Sequence, residues 1–287
     1  MTRTDSAPAQ GSGEIKARAG SDTWETIRTV VVALLIALVV RTVLFQPYTI
    51  PSASEEPNLY QGDYIVVSKW SYGYSRHSIL GSPPLPHGRL FFTPPKRGDV
   101  VVFKLPRDGH TDYIKRLVGL PGDRMQVRDA KLYINGKPVG MGAPKPVTLT
   151  DEDIPAPGLL VKETNPEGRS YVTQYHGPGQ GGADNTGVYI VPQHCYFMMG
   201  DNRQNSADSR FDPGFELSTD DPKLGGCGWD RSLDAFVARG EGVGFVPEEN
   251  LVGRARIVML SWNKGASIFK PWTWLNLRWD RFVHPIH

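Results

Sequence analysis

The stretch at 112–123, DYIKRLVGLPGD, is a β-rich run closed by a Leu-Pro-Gly-Asp turn signal. In an extended strand Tyr113, Lys115 and Leu117 share one face, and Arg116 points to the other. Lys115 therefore lies between an aromatic and an aliphatic side chain, where its ammonium group would be partly desolvated. Desolvation lowers the pKa of a lysine and makes the neutral amine available. A surface lysine that snorkels to water is the alternative interpretation.

Other short β-rich runs surround this segment and predict a mainly β chain. They lie at 64–67, 99–104, 131–134, 189–191, 195–199 and 255–260. The pair Asn135-Gly136 is the strongest hairpin signal in the chain. The 31 Gly and 24 Pro favour a turn-rich β fold over a helical bundle. No period of about 20–50 residues repeats, which excludes solenoids and propellers.

An apolar run at 29–45, interrupted only by Arg41, lies near the N-terminus. As a helix these residues span about 26 Å, slightly less than the roughly 30 Å hydrocarbon core of a bilayer. Including Ile27 and letting Arg41 snorkel from near the far end makes spanning feasible. A buried core helix is the alternative. A cleavable signal peptide is disfavoured because no Ala-x-Ala site follows the run.

We therefore predict one transmembrane anchor at 23–46, preceded by a disordered cytoplasmic tail at 1–22. The cations Lys16, Arg18 and Arg28 precede the apolar run. The positive-inside rule then places the N-terminus in the cytoplasm and the rest of the chain outside it.

Composition excludes several classes of function. The formal net charge of +2 argues against nucleic-acid binding by bulk charge. The two cysteines, Cys195 and Cys227, cannot form a four-cysteine zinc site, although one disulfide is possible. Gly-x-Ser-x-Gly, His-Glu-x-x-His and P-loop motifs are absent, and the seven histidines are scattered. A serine nucleophile with a lysine base remains, with no metal and no cofactor.

Two polar segments add candidate chemistry. Residues 50–59, IPSASEEPNL, carry two hydroxyls at i and i+2 between prolines just after the anchor. By itself this segment reads as a juxtamembrane linker. Residues 200–210, GDNRQNSADSR, follow a predicted buried strand, which is a common way for a scaffold to present a site. An ordinary polar turn is the alternative there.

Together these segments resemble the bacterial type I signal peptidases over residues 27–263. The matching pieces occur in the family's order, at 50–54, 62–64, 97–100, 113–123, 200–206, 244–247 and 251–255. Each piece is short, but their common register makes the signal specific.

The resemblance implies a membrane-bound serine endopeptidase that removes signal peptides. Ser54 resembles the family's nucleophile and Lys115 its general base. The Ser52 hydroxyl, with the backbone N–H of Ser54, matches the oxyanion hole. Ser206 matches the hydroxyl that orients the lysine amine, and Tyr113 matches a residue in the wall of the site. Two polar pairs, Asp201 with Arg116 and Asp208 with Arg210, match pairs that hold the loop.

The same resemblance implies a coiled antiparallel β-sheet core of the signal peptidase and LexA type. Residues 47–123 and 194–287 would form this catalytic core, with an accessory β-rich insert at 124–193 and a surface insertion at 212–241. Its partners would be membrane lipid and exported precursors with small residues at positions −1 and −3 of the cleavage site. The catalytic domain would lie on the periplasmic side of the inner membrane.

Two departures from the family pattern flank the nucleophile. Glu55 stands where the family usually has Met, and Asn58 replaces a usual Thr. A carboxylate beside Lys115 would raise the lysine pKa and oppose catalysis, unless Glu55 points to solvent. The alternatives are therefore a specialised maturase of pilus or conjugation proteins, or a catalytically impaired, membrane-anchored peptide-binding module.

The C-terminal stretch is rich in tryptophan and in cations. Trp262, Trp272, Trp274 and Trp279 lie within it. Indole rings prefer the membrane–water interface, and Lys and Arg favour anionic headgroups. We expect this tail to dip into the bilayer surface, with packing in the core as the alternative.

Overall fold

The computed structural model describes residues 14–79, 81–150, 155–213, 226–230, 232, 242–263, 266 and 270–287. Its strands are β1 Phe45–Thr49, β2 Asp63–Ser68, β3 Val100–Lys104, β4 Asp112–Gly119, β5 Arg124–Arg128, β6 Lys131–Ile134, β7 Lys137–Pro138, β8 Gly140–Met141, β9 Lys145–Leu149, β10 Ala156–Thr164, β11 Ser170–Tyr175, β12 Tyr189–Ile190, β13 Cys195–Met199, β14 Val246–Pro247, β15 Leu251–Ser261 and β16 His284–Pro285. Single helical turns lie at Lys69–Ser71, Arg76–Ser78, Glu248–Asn250, Pro271–Thr273 and Trp279–Arg281.

One long helix, α1, runs over Glu14–Val39 and continues as a π-helical turn at Val40–Leu44. The segment Thr23–Leu44 is long and apolar enough to cross a membrane, and none of it is buried. The helix begins at Glu14, inside the segment predicted as a disordered tail at 1–22, and residues 1–13 lie outside the described part. Glu, Lys, Ala and Arg bury little surface but are good helix formers, so a low apolar content does not prevent a helix.

The central sheet is antiparallel and has the order β1-β2-β15-β3-β4-β13-β14, with β16 paired to β15. It confirms the predicted mainly β fold with a coiled antiparallel core. The strand that carries Lys115, β4, lies between β3 and β13, so that side chains on both of its faces are buried. The strand β1 was not predicted, because its Pro47 and the adjoining apolar run hid the change from helix to strand.

Residues between β4 and β13 form two smaller sheets, ordered β12-β5-β6-β7 and β11-β10-β8, with β9 paired to β10. The predicted hairpin at Asn135-Gly136 is confirmed, and both residues have positive φ, at 54° and 78°. The strands of this second sheet were not predicted individually; β9 and β10 carry Pro or Gly, which interrupts their alternation, whereas β11 contains neither.

The predicted surface insertion at 212–241 falls mostly outside the described residues. Its described portion includes Cys227, which forms a disulfide with Cys195 at the start of β13. Trp229 packs beside this bridge against Tyr189 and Phe245. The bridge that the sequence left open therefore joins the insertion to the hydrophobic core.

Candidate active site

The two predicted reactive groups meet at the end of a cleft. Ser54 lies in the loop between β1 and β2, and Lys115 lies in the middle of β4. The Lys115 Nζ and the Ser54 Oγ form a hydrogen bond. Nζ also donates to the carbonyl oxygen of Ile114 at 3.0 Å. The Ser52 Oγ lies 3.3 Å from the Ser54 Oγ, on the exposed side of the same loop.

The cleft has a volume of about 440 Å³ and is open to solvent on one side. It is lined by Pro51, Ser52, Ala53, Ser54, Thr111, Asp112, Tyr113, Ile114, Lys115, Asn205 and Ala207. Tyr113 forms part of its wall, and its ring centroid lies 6.0 Å from the Lys115 Nζ. The cleft therefore reaches Ser54, while Lys115 stays buried.

Burial dominates the electrostatics of Lys115. The residue is only 3% exposed, and desolvation lowers the pKa of its amine from the ordinary value of 10.5. The carboxyl groups of Glu55, Asp208 and Asp201 act in the opposite direction, and Arg210 acts with burial. The net effect is a lower pKa, as a lysine base requires.

Glu55 does not point to solvent. It is 1% exposed, and its Oε1 lies 3.8 Å from the Lys115 Nζ. Neither of its carboxyl oxygens has a hydrogen-bond partner within the described part of the chain. Burial, reinforced by the carboxylate of Asp201, raises the pKa of Glu55 well above its ordinary value. Glu55 therefore lies close enough to Lys115 to affect the lysine pKa, because it does not point to solvent.

The 200–210 loop contacts the backbone around Ser54. The backbone N–H of Asn202 donates to the carbonyl oxygen of Ser54 at 3.1 Å, and its side-chain amide donates to the carbonyl oxygen of Ala53 at 3.3 Å. A Cβ on Gly200 would lie 2.4 Å from the Ser54 carbonyl oxygen and 2.3 Å from the Ser206 Oγ. Only a glycine at position 200 permits this approach.

Two ion pairs hold the 200–210 loop. The structure brings together all four residues that were predicted to form them. Asp201 receives two hydrogen bonds of 2.7 Å from Arg116, and both residues are fully buried. Asp208 receives bonds of 2.8 and 2.7 Å from Arg210. Bidentate pairs of this kind fix geometry as well as charge.

Ser206 is placed differently from what the resemblance implies. Its Oγ is buried and has no hydrogen-bond partner among the described residues. It approaches Gly200, and no hydrogen bond joins it to Lys115. Its predicted role as the hydroxyl that orients the lysine is therefore not supported by a contact in this structure.

Three supporting residues, Arg203, Glu163 and Tyr175, were not singled out from the sequence, and a fourth, Asn58, was noted only as a departure from the family pattern. Asn58 donates to the Asp201 Oδ2 at 2.7 Å, and Arg203 pairs with the buried Glu163 at 2.7 Å. Tyr175 also donates to Glu163, at 2.7 Å. Arg203 lies inside the polar segment at 200–210, so its position was a reason to consider it as part of the site. Glu163 had no such sequence signal, because its partner Arg203 is 40 residues away in the chain.

The described part of the chain contains no group of three or more His, Cys, Asp or Glu side chains placed to hold a metal ion. The cleft is lined by hydroxyl, amine and carboxyl groups.

Comparisons with known proteins agree with the resemblance in the sequence. A family model described as signal peptidase, peptidase S26, matches residues 23–262. A signal peptidase I from Rickettsia typhi is 36% identical over 257 residues, which cover 83% of this chain and 85% of that protein. One from Rickettsia massiliae is 41% identical over 192 residues, which cover 64% and 71%. A crystal structure of a signal peptidase I from Enterococcus faecalis V583 is 22% identical, covers 56% of this chain and 97% of its own, and has a TM-score of only 0.25.

Proposed function

The chain belongs to the signal peptidases of the peptidase S26 family, and from that premise we propose that it is a membrane-bound serine endopeptidase with Ser54 as nucleophile and Lys115 as general base. It removes N-terminal signal peptides from exported precursor proteins. The observation that carries this proposal is the hydrogen bond between the Ser54 Oγ and a buried Lys115 Nζ at the end of an open cleft.

The proposed reaction begins with a neutral Lys115 amine. It accepts the proton of the Ser54 hydroxyl while Oγ attacks the scissile carbonyl carbon and forms a C–O bond. The Ser52 hydroxyl and the Ser54 backbone N–H stabilise the oxyanion. The Lys115 ammonium then protonates the leaving amine, and the C–N bond breaks. A water molecule, deprotonated by Lys115, hydrolyses the acyl-enzyme and restores the Ser54 hydroxyl.

An unpaired strand edge supports binding of an extended substrate. β3 pairs with residues 112–116 of β4 along one edge. On the other edge β13 pairs only from Arg116 onward, and no described strand pairs with Asp112 to Lys115 there. A precursor could add as a strand at this edge, with alternate side chains in shallow pockets that admit small residues at −3 and −1.

The proposed membrane anchoring rests on the helix and on contacts at its end. The Tyr74 hydroxyl donates to the carbonyl oxygen of Val43 at 2.8 Å, and the rings of Phe45 and Trp70 meet edge to face at 4.5 Å. These contacts join the end of the helical segment and the start of β1 to the residues that follow β2. We place the N-terminus in the cytoplasm and the cleft on the periplasmic side. Protease added outside spheroplasts should digest the body of the chain but spare a tag on Met1.

The C-terminal tryptophans form the second part of the proposed membrane contact. Trp272, Trp274 and Trp279 are 77%, 48% and 67% exposed, whereas Trp262 packs against Tyr64 at 4.9 Å. Three of the four indoles are therefore available to the bilayer interface.

The dyad is tested with Ser54→Ala and Lys115→Met, each assayed on a precursor with an Ala-x-Ala site. We expect each to lower kcat/KM by at least about 10³-fold, because loss of a nucleophile or a general base removes a chemical step. Lys131→Met, which removes an exposed lysine in β6, is the matched control and should cleave normally. Substantial cleavage by either dyad variant would refute the assignment. A panel of exported and pilus-type precursors separates general processing from a specialised maturase.

A further inference from the structure

Glu55 is the least satisfied charged residue around the proposed dyad. Both of its carboxyl oxygens are buried without a hydrogen-bond donor in the described part of the chain. The nearest cationic atom, the Lys115 Nζ, lies 3.8 Å from Oε1, which is longer than a hydrogen bond. A buried carboxylate without donors is among the costliest arrangements in a protein interior.

The other charged side chains around Glu55 form ion pairs with one another. The groups that act on it are Asp201, Lys115, Arg116 and Asp208. Asp201 is held by Arg116, and Asp208 by Arg210, through bonds of 2.7 to 2.8 Å. Each of these pairs is neutral as a unit. Glu55 and Lys115 are the two groups left over, and they face each other at 3.8 Å, beyond hydrogen-bond distance.

Two protonation states of this remaining pair have the same net charge. In one, a carboxylate faces an ammonium across 3.8 Å with no hydrogen bond between them. In the other, a carboxylic acid faces a neutral amine. Desolvating two ions in the interior costs more than their attraction returns unless the geometry is close and hydrogen-bonded. The bidentate Arg116–Asp201 pair meets that requirement, and Glu55–Lys115 does not.

We propose that Glu55 holds the proton that Lys115 must lack: in the resting protein Glu55 is an uncharged carboxylic acid, Lys115 is a neutral amine, and the one ionisable proton of the pair resides on Glu55. This inference rests on the proposed function of Lys115 as base. Glu55 is a positioning residue in this scheme, since it acts on the substrate only through the lysine.

The protonated acid reverses the expected effect of an acidic residue beside the base. An ionised Glu55 would stabilise the Lys115 ammonium and retain the proton that must pass to the leaving amine. An uncharged Glu55 exerts no such hold, so that the proton taken from Ser54 stays labile. Lys115 is then free to cycle between amine and ammonium without a fixed counter-ion.

Infrared difference spectroscopy of the full chain in detergent tests this proton directly. The wild-type protein minus Glu55→Gln should show the carbonyl stretch of one protonated carboxylic acid at neutral pH. Glu56→Gln, the matched control at the next position, should not remove that band. Carboxyl-¹³C glutamate should shift it, which assigns the band to a glutamate without any substitution.

Lys115→Met separates the two protonation states. In our proposal the band is present in the wild-type protein and persists in Lys115→Met, because Glu55 needs no partner to stay protonated. A band that is absent from the wild-type protein but appears in Lys115→Met would overturn the proposal, since it shows that Glu55 is ionised by pairing with a charged Lys115. That result would favour the impaired peptide-binding module.

The pH dependence gives a second readout. The band should keep its intensity across the acidic limb of kcat/KM, because the proton lost on that limb comes from Lys115. A band that fades with the midpoint of that limb would contradict the inference. Failure of the dyad itself has a different signature, namely cleavage by Ser54→Ala or Lys115→Met whatever the state of the Glu55 band.

Discussion

Lys115 and Arg116 are neighbours on one strand and are both buried, yet they differ in how many hydrogen bonds and counter-ions surround them. Arg116 donates at 2.7 Å to both oxygens of Asp201 and to the carbonyl oxygens of Gly98 and His287. Lys115 has one hydroxyl, one carbonyl and an acid 3.8 Å away. A fully bonded charge holds the loop in shape, whereas in our proposal the sparsely bonded amine keeps a lone pair available for a proton. We therefore propose that one face of β4 supports the loop and the other carries the chemistry.

The largest expected effect comes from removing the negative charge of Asp201, the partner of Arg116. Asp201→Asn keeps the shape of the side chain but leaves the Arg116 guanidinium buried without a counter-ion. We expect the free energy of unfolding to fall by about 3–5 kcal/mol, the usual cost of breaking a buried pair. Denaturant titration in detergent measures it. Glu167→Gln at the half-exposed Arg97–Glu167 pair is the control and should cost less than about 1 kcal/mol. Equal losses would mean that burial does not distinguish the two pairs.

A smaller effect is expected where the supporting loop touches the nucleophile. Gly200→Ala places a Cβ against the Ser54 carbonyl oxygen and the Ser206 Oγ. Overpacking should cost about 1–3 kcal/mol of stability, and displacing Ser54 by about 1 Å should lower kcat/KM by roughly 10²-fold. Gly142→Ala, whose Cβ would meet its neighbours at ordinary distances from 3.4 Å, is the control. Normal cleavage by Gly200→Ala would show that the loop does not position Ser54.

The last effect has the opposite sign and is expected at the lysine. Burial lowers the pKa of Lys115 below 10.5, so between the folded pKa and 10.5 the unfolded chain binds more protons than the folded one. Stability therefore rises with pH through that window. Lys115→Met should raise Tm at neutral pH, and the gain should shrink as the pH approaches 10.5. Lys131→Met should not change Tm. A Lys115→Met protein that melts earlier at every pH would show that the amine stabilises the fold.

Local sequence patterns predicted the secondary-structure elements that depend mainly on neighbouring residues in the chain. The runs at 131–134 and 195–199 are strands with the predicted bounds, because side-chain type and turn chemistry decide them. The β11-β10-β8 sheet was missed, since β10 carries Pro and Gly and β11, which has neither, is stabilised by its pairing with β10. The apolar helix was predicted from composition, although it begins at Glu14, earlier than expected. The contacts of Asp201 with Arg116 and of Asp208 with Arg210 followed from the family resemblance, while Glu163 had no local pattern to reveal it.

What the sequence determined by itself is the mainly β chain and the apolar helix, because alternation and length are properties of neighbouring residues, while the candidate roles of Ser54 and Lys115 came from the resemblance to a known family. The tertiary structure alone decided the surroundings of Glu55. Whether a carboxyl group one residue from the nucleophile meets water, a cation or only packed atoms depends on strands and loops distant in the chain. Those surroundings set its charge, since desolvation acts through every atom that replaces water.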